Sequence, residues 1–195
     1  MHINWQSREI NLKIVYYGPA LSGKTTNLEQ IHARIDPRRR SDLVSLKTQG
    51  DRTLFFDFLQ LELGRIGSLT PKIQLYTVPG QSYYEASRKL VLRGADGVVF
   101  VVDSAAERLT ANVQAFQDMR AHLASFDTPL NDVPVIVQFN KQDLPTALPP
   151  HVLRMLLHTD SLPVLTASAK CGDGVFTTLK AITRGVMAYV QREVA

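Results

Sequence analysis

Eight consecutive residues, Gly18-Pro19-Ala20-Leu21-Ser22-Gly23-Lys24-Thr25, have the residue types and spacing of a phosphate cradle. Gly18 and Gly23 let the backbone curl until successive amide N–H groups point inward at anionic oxygens. Lys24 brings a cation to the outer phosphates, and the Thr25 hydroxyl is an oxygen ligand suited to Mg2+. Gly18, Ala20, Leu21, Ser22, Gly23, Lys24, Thr25 and Thr26 are the nucleotide-binding candidates on this side. Far downstream, Asn140-Lys141-Gln142-Asp143 offers a second chemistry. The Asp143 carboxylate can accept two N–H donors from one edge of guanine. Adenine presents no such pair and would leave the carboxylate unpartnered. Lys141 can lay its stem along a purine face, and Asn140 can tie this loop to the phosphate loop. Ser168-Ala169-Lys170 can supply a backbone N–H for the guanine carbonyl. Taken singly, the last two motifs are weak, since a polar loop or a strand-to-helix turn also produces them.

The elements that must position these groups are written in the apolar pattern. Ile10 to Tyr17 alternates like a strand and ends on the cradle, and Asn27 to Ile35 reads as the helix that follows. That context gives the glycine-rich loop its meaning, and the helix adds a partial positive charge at its start. Val133 to Phe139 is an apolar run broken only at Gln138, a buried strand that delivers Asn140, and Pro163 to Thr166 is a second. Gly97 to Asp103 is apolar on both faces, as a central parallel strand should be. Leu109, Val113, Phe116 and Leu123 recur at helical spacing, as do Phe176, Leu179, Ile182, Val186 and Val190. Both are read as core-facing stripes. Strands alternate with helices, which predicts one α/β domain over residues 1–195 with a mainly parallel sheet. Thr53 to Leu63 and Pro71 to Val78, separated only by Gly64 to Thr70, predict a hairpin and hence one antiparallel edge strand. A ligand of such a sheet belongs at the carboxyl ends of its parallel strands.

Bulk properties narrow the function further. The net charge of +4 is scattered, with Arg38-Arg39-Arg40 the only basic run, which reads as a solvated loop and not a nucleic-acid surface. No stretch approaches the roughly 18 apolar residues of a membrane span. The start, Met1-His2-Ile3-Asn4-Trp5, lacks a signal peptide and a myristoylation glycine, and the end lacks a prenylation cysteine. A cytoplasmic chain without an intrinsic membrane anchor is expected. The single cysteine, Cys171, excludes an internal disulfide and reads as a small packed residue beside Lys170.

With both motifs in their strand contexts, the chain resembles a Ras-superfamily small GTPase over nearly its whole length. Within that superfamily it is similar to the bacterial gliding-motility and cell-polarity GTPases. The closer match is carried by Lys13-Ile14-Val15-Tyr16-Tyr17-Gly18-Pro19, by Asp51-Arg52-Thr53-Leu54-Phe55-Phe56-Asp57-Phe58, and by Tyr76-Thr77-Val78-Pro79-Gly80-Gln81. The resemblance implies a Ras-like P-loop fold of six strands and about five helices, GTP and GDP as ligands, and Mg2+ as cofactor. It implies slow GTP hydrolysis stimulated by a homodimeric activating protein of the roadblock type. It also implies effectors of polarity or motility machinery, recruitment by partners to a cell pole or membrane, and a monomeric switch whose edge strand shifts register on activation.

A switch needs groups that contact the γ-phosphate and let go when it leaves. Thr53 is the candidate on the first mobile segment, residues 36–53, as a second Mg2+ ligand beside Thr25. Gly80 is the candidate on the second, offering its N–H to the γ-phosphate, and Gln81 follows where it could orient the attacking water. Plainer readings have Thr53 beginning a strand and Gln81 on a polar turn. Arg52 is the candidate catalytic guanidinium, since such a finger can come from the same chain. The resemblance implies that it swings in when a partner remodels the first switch; Asp51 beside it is its bland alternative partner.

Two residues depart from the Ras pattern. Most Ras relatives carry aspartate where Thr77 stands, which predicts weaker metal binding unless another carboxylate substitutes, and Asp57 on the neighbouring strand is the candidate. Ala20 stands where most relatives have glycine, and its Cβ crowds the space of Gln81 or an arginine, which predicts slower turnover. Of the adjacent Tyr83 and Tyr84, only one can face the core of a short helix. Phe55, Phe56 and Phe58 must divide between two faces of a strand. The leading reading is a GTP-hydrolysing molecular switch. A GTP-loaded scaffold with negligible hydrolysis is the alternative, favoured by Ala20 and Thr77. An ATP-using phosphotransferase shares only the phosphate loop.

Overall fold

Strand β2 (Glu9–Tyr17) alternates between half-buried and buried positions at its start and becomes fully buried from Ile14 onward. The change follows from its neighbours. In the computed structural model, which describes residues 2–4, 6–47, 55–64, 70–80 and 84–194, β2 runs parallel to β5 (Thr70–Thr77) along its length. On its other side, residues 9–11 pair with the short antiparallel strand β1 (His2–Asn4), and residues 14–17 pair with parallel β6 (Gly97–Asp103). The upper part of β2 is therefore central, with packing on both faces.

The sheet runs in the order β3–β4–β5–β2–β6–β7–β8, with β1 beside the start of β2. Here β3 is Val44–Lys47, β4 is Phe55–Glu62, β7 is Val135–Asn140 and β8 is Val164–Thr166. The expected hairpin is present: β4 pairs antiparallel with β5, Phe58 opposite Tyr76. It is not the edge. β3 pairs antiparallel along β4 and takes the edge position, Ser45 opposite Asp57. Eight strands in place of six come from β1 and β3, whose three and four residues are too short to carry a period in sequence. Among the described residues the helices number five, as expected: α1 Lys24–Arg34, α2 Glu85–Leu92, α3 Leu109–Ala124, α4 Pro150–Leu156 and α5 Val175–Val194.

Both predicted helical stripes face cores, one on each side of the sheet. Leu179, Ile182, Val186 and Val190 of α5 pack with Leu28 and Ile31 of α1 on Leu12, Ile14 and Val99. Phe116 and Leu123 of α3 pack with Val91 and Leu92 of α2 on Val15, Phe100 and Phe139, with Leu109 and Val113 at the margin. The polar break at Gln138 has a structural cause. Its amide exchanges two hydrogen bonds of 3.0 Å with the Asn27 amide and donates to Thr178 Oγ1 at 2.9 Å, all three residues fully buried. This cluster stitches α1, β7 and α5 together just beneath the two loops at the sheet's carboxyl edge. Removing one member would leave buried polar groups unpaired, at about 1–3 kcal/mol each.

Candidate functional site

The loop from Gly18 to Gly23 connects β2 to α1 through two left-handed residues, Leu21 (φ 64°) and Gly23 (φ 95°). At Gly23 a side chain is excluded twice over, by that φ and by Asn140 Nδ2, which a Cβ would meet at 2.2 Å. Leu21 adopts the left-handed region as a leucine, at a cost on the order of 1 kcal/mol, and its side chain is 81% exposed. Helix α1 begins at Lys24 with no capping side chain, so its first N–H groups remain available to an anion. Lys24 is buried, and its Nζ donates to the carbonyls of Gly18 (3.0 Å) and Pro19 (2.6 Å). Burial, helped by the nearby Arg88 charge and opposed by Asp57, pushes its pKa down to about 7. A cation held this way lacks the anions that would stabilise it, and phosphate oxygens supply that need. Ser22 is buried, Thr25 exposed and Thr26 half-buried in the first turn of α1.

At the base end, Asn140 ends β7 with 1% exposure and spans two loops. Its Nδ2 donates to Ser22 O at 2.8 Å, and its Oδ1 accepts the Ala169 N–H at 2.8 Å. The expected tie to the phosphate loop is thus accompanied by one to the Ser168-Ala169-Lys170 turn. With the Ala169 N–H engaged and that of Ser168 donated to Asp173 O, the Lys170 N–H is the one left to meet a carbonyl among the described residues. Lys141 adopts φ 65°, and its Nζ pairs with buried Asp103 Oδ2 at 2.6 Å, which fixes its stem above the loop. Asp143 is exposed, and the Ser168 hydroxyl beside it holds its carboxyl below the usual carboxylate range, ready to accept donors.

At the opposite end the strand period decides the metal corner. Leu59 and Leu61 are buried toward α1, so Asp57 points the same way and meets the first turn of that helix. Thr25 Oγ1 donates to Asp57 Oδ2 at 2.6 Å, Thr77 Oγ1 to the same oxygen at 2.9 Å, and Ser45 Oγ to Oδ1 at 2.7 Å. Thr77 also accepts the Asp57 N–H at 2.9 Å. The threonine that replaces the usual aspartate therefore anchors a carboxylate arriving from the next strand. One carboxylate and the Thr25 hydroxyl, both hard oxygen donors, suit Mg2+. Phe56 and Phe58 occupy the other face, with ring centroids 5.8 and 5.0 Å from that of Tyr76. Gly80 lies directly on the phosphate loop, and a Cβ there would fall 2.3 Å from Ala20 Cα. Thr53, Arg52, Gln81, Phe55's side chain and Tyr83 lie outside the described residues; Tyr84 is half-buried.

Two contributors escaped the sequence reading. Asp103, the charge ending an otherwise apolar β6, could have been found, because a carboxylate at the carboxyl end of a central strand faces the ligand side of the sheet. Arg108, whose Nη2 donates to Ala20 O at 2.7 Å, carries no sequence signal.

Comparison with known proteins agrees with this geometry. The model of the ADP-ribosylation factor family matches residues 2–186. Mutual gliding-motility protein MglA of Myxococcus xanthus (strain DK1622) is 49% identical over 190 residues, 97% of each chain. ADP-ribosylation factor-like protein 4D of Mus musculus is 33% identical over 138 residues, 70% of this chain and 61% of the relative. Its Homo sapiens counterpart is 34% identical over 139 residues. A Ras-like sheet, a phosphate loop joined to a base loop through one asparagine, and a family match over almost the whole chain converge: the chain belongs to the ADP-ribosylation factor family of small GTPases, within its MglA-type group.

Proposed function

We propose that the chain is a molecular switch that binds GTP, hydrolyses it to GDP and phosphate, and changes partners as it does so. The single observation that carries this is Asn140, which bonds the phosphate loop with one amide atom and the base-side turn with the other. One pocket can thereby check both ends of one nucleotide. In this reading Lys24 and the first N–H groups of α1 take the phosphates, and Asp143 and the Lys170 N–H take the guanine edge. Thr25, Asp57 and Thr53 hold Mg2+, which neutralises phosphate charge when bound. Gly80 offers its N–H to the γ-phosphate, Gln81 orients the water that attacks the γ-phosphorus, and Arg52 stabilises the charge that develops as GDP leaves.

The 49% identity to a protein named for gliding motility supports a role in surface motility or cell polarity. We infer a dimeric roadblock-type activating protein and polarity effectors as partners, and a cytoplasmic monomer recruited by them. No helix among the described residues is long and apolar enough to cross a membrane. The alternative, a loaded scaffold that hydrolyses negligibly, is favoured by Ala20, whose Cβ would crowd the space of Gln81 or a catalytic arginine, and by Thr77 in place of an aspartate. Single-turnover hydrolysis of bound GTP, with and without lysate of the native cell, decides between them. Phosphate release accelerated by lysate supports the switch; GTP that stays intact in both arms supports the scaffold. Calorimetry with no heat for GDP or GTP in Mg2+ ends both readings.

A further inference from the structure

Resting on the nucleotide reading of this site, we propose that Arg108 is a positioning residue that locks the Ala20–Leu21 peptide with its N–H turned into the phosphate cradle. Arg108 stands at the start of α3, 88 residues from the loop it touches. Its Nη2 donates to Ala20 O at 2.7 Å, and its Nε lies 3.6 Å from Asp103 Oδ2. Asp103 is 1% exposed; its backbone is fixed by two bonds with Asn112, at 3.0 and 2.8 Å, and its carboxylate accepts the Ala105 N–H at 3.2 Å and Lys141 Nζ at 2.6 Å. The guanidinium is therefore aimed by a rigid carboxylate.

The carbonyl and N–H of a trans peptide point in opposite directions. Holding Ala20 O outward therefore turns the Leu21 N–H toward the cradle, where it meets no acceptor among the described residues. The hold is needed because Leu21 is left-handed at φ 64°. Turning this one peptide over would carry φ to about −116°, out of the positive-φ region that leucine disfavours. The same turn would aim a carbonyl oxygen at the phosphates. Local backbone preference thus favours the orientation that repels the nucleotide, and Arg108 opposes it.

The test is a cycle of GDP release rates, with fluorescent GDP and Mg2+, for wild type, Arg108→Ala, Leu21→Gly and the double variant. Arg108→Ala is expected to release GDP about tenfold faster, the loss of a charged hydrogen bond. Glycine has no preference for the flipped peptide. In the Leu21→Gly background, Arg108→Ala should therefore accelerate release by no more than about threefold. Arg108→Lys, which keeps a charged donor, should recover part of the wild-type rate, and the 31P resonances of bound GDP should move in Arg108→Ala. If Arg108→Ala does not fold, Arg108→Gln takes its place in the cycle. Release at the wild-type rate overturns the proposal. So does equal acceleration in both backgrounds, which would place the effect of Arg108 on Asp103 and Lys141. Wild-type protein that captures no GDP removes the nucleotide reading itself, a distinguishable result.

Discussion

Asn140, Lys141 and the Ser168–Lys170 turn are held by partners on the central parallel strands and their loops: Ser22 O, the Ala169 N–H and the Asp103 carboxylate, all buried. The metal corner is assembled differently. There one carboxylate, Asp57, comes from antiparallel β4 and collects three hydroxyls, from Thr25, Ser45 and Thr77. Bonds from hydroxyls to a carboxylate exchange readily with metal or water, whereas Asn140 at the base end is satisfied by buried backbone groups and Lys141 by a buried carboxylate. The contrast teaches a division of labour. The proposed guanine end is tied together by bonds already made, whereas at the proposed metal end the hydroxyl that would bind the ion, Thr25, is engaged with Asp57 and would have to exchange that bond for it.

The largest effect should come from breaking the organised end. Asp143→Asn removes a carboxylate that can make two charged hydrogen bonds, so GDP affinity should fall by at least about a hundredfold, with xanthosine diphosphate gaining. Calorimetry with both nucleotides measures this, and unchanged GDP affinity refutes the assignment. At the other end, Asp57→Ala should raise the Mg2+ concentration needed to slow GDP release by about tenfold, while GDP affinity in EDTA stays near wild type. If the EDTA value falls equally, the two ends are not separable.

Protons sharpen the comparison. Lys24 has a pKa of about 7 without phosphates, below the usual lysine value, and anionic oxygens favour its charged form. Above pH 7 the free protein binds fewer protons at Lys24 than the complex does, so nucleotide binding takes up a proton. GDP affinity without Mg2+ should therefore fall as pH rises from 7 to 9, by up to about tenfold per pH unit. Proton uptake measured calorimetrically in buffers of different ionisation enthalpy checks the sign. The smallest effect is expected at Ala20→Gly, which removes the Cβ proposed to crowd Gln81 or the Arg52 guanidinium and should raise partner-stimulated hydrolysis a few-fold, read as phosphate release. An equal or lower rate discards the crowding argument.

What could be read in advance follows the same boundary. Residues 18–25 and 140–143 were legible because each motif sits at the end of an apolar strand, and local pattern fixes both the strand and the direction it delivers its loop. Asp57 was readable as a candidate, and its role in the corner was not, since it depends on a register between β4, β5 and α1 that no local pattern encodes. β3 was missed because four residues show no period, and Arg108 because its partner is 88 residues away. Gln138 looked like a flaw in a strand, and only the facing Asn27 and Thr178 explain it.

In the proposed metal site a carboxylate lodged on a ribbon strand, and not on a loop, would make the ion a gauge of how two neighbouring strands are aligned. Side chains alternate along β4, so sliding it by a single position against β5 would swing Asp57 to the aromatic side and present a phenyl ring to Thr25. Magnesium would then be lost without any ligand having been altered, and a partner able to push that ribbon could govern the chemistry without ever touching the nucleotide.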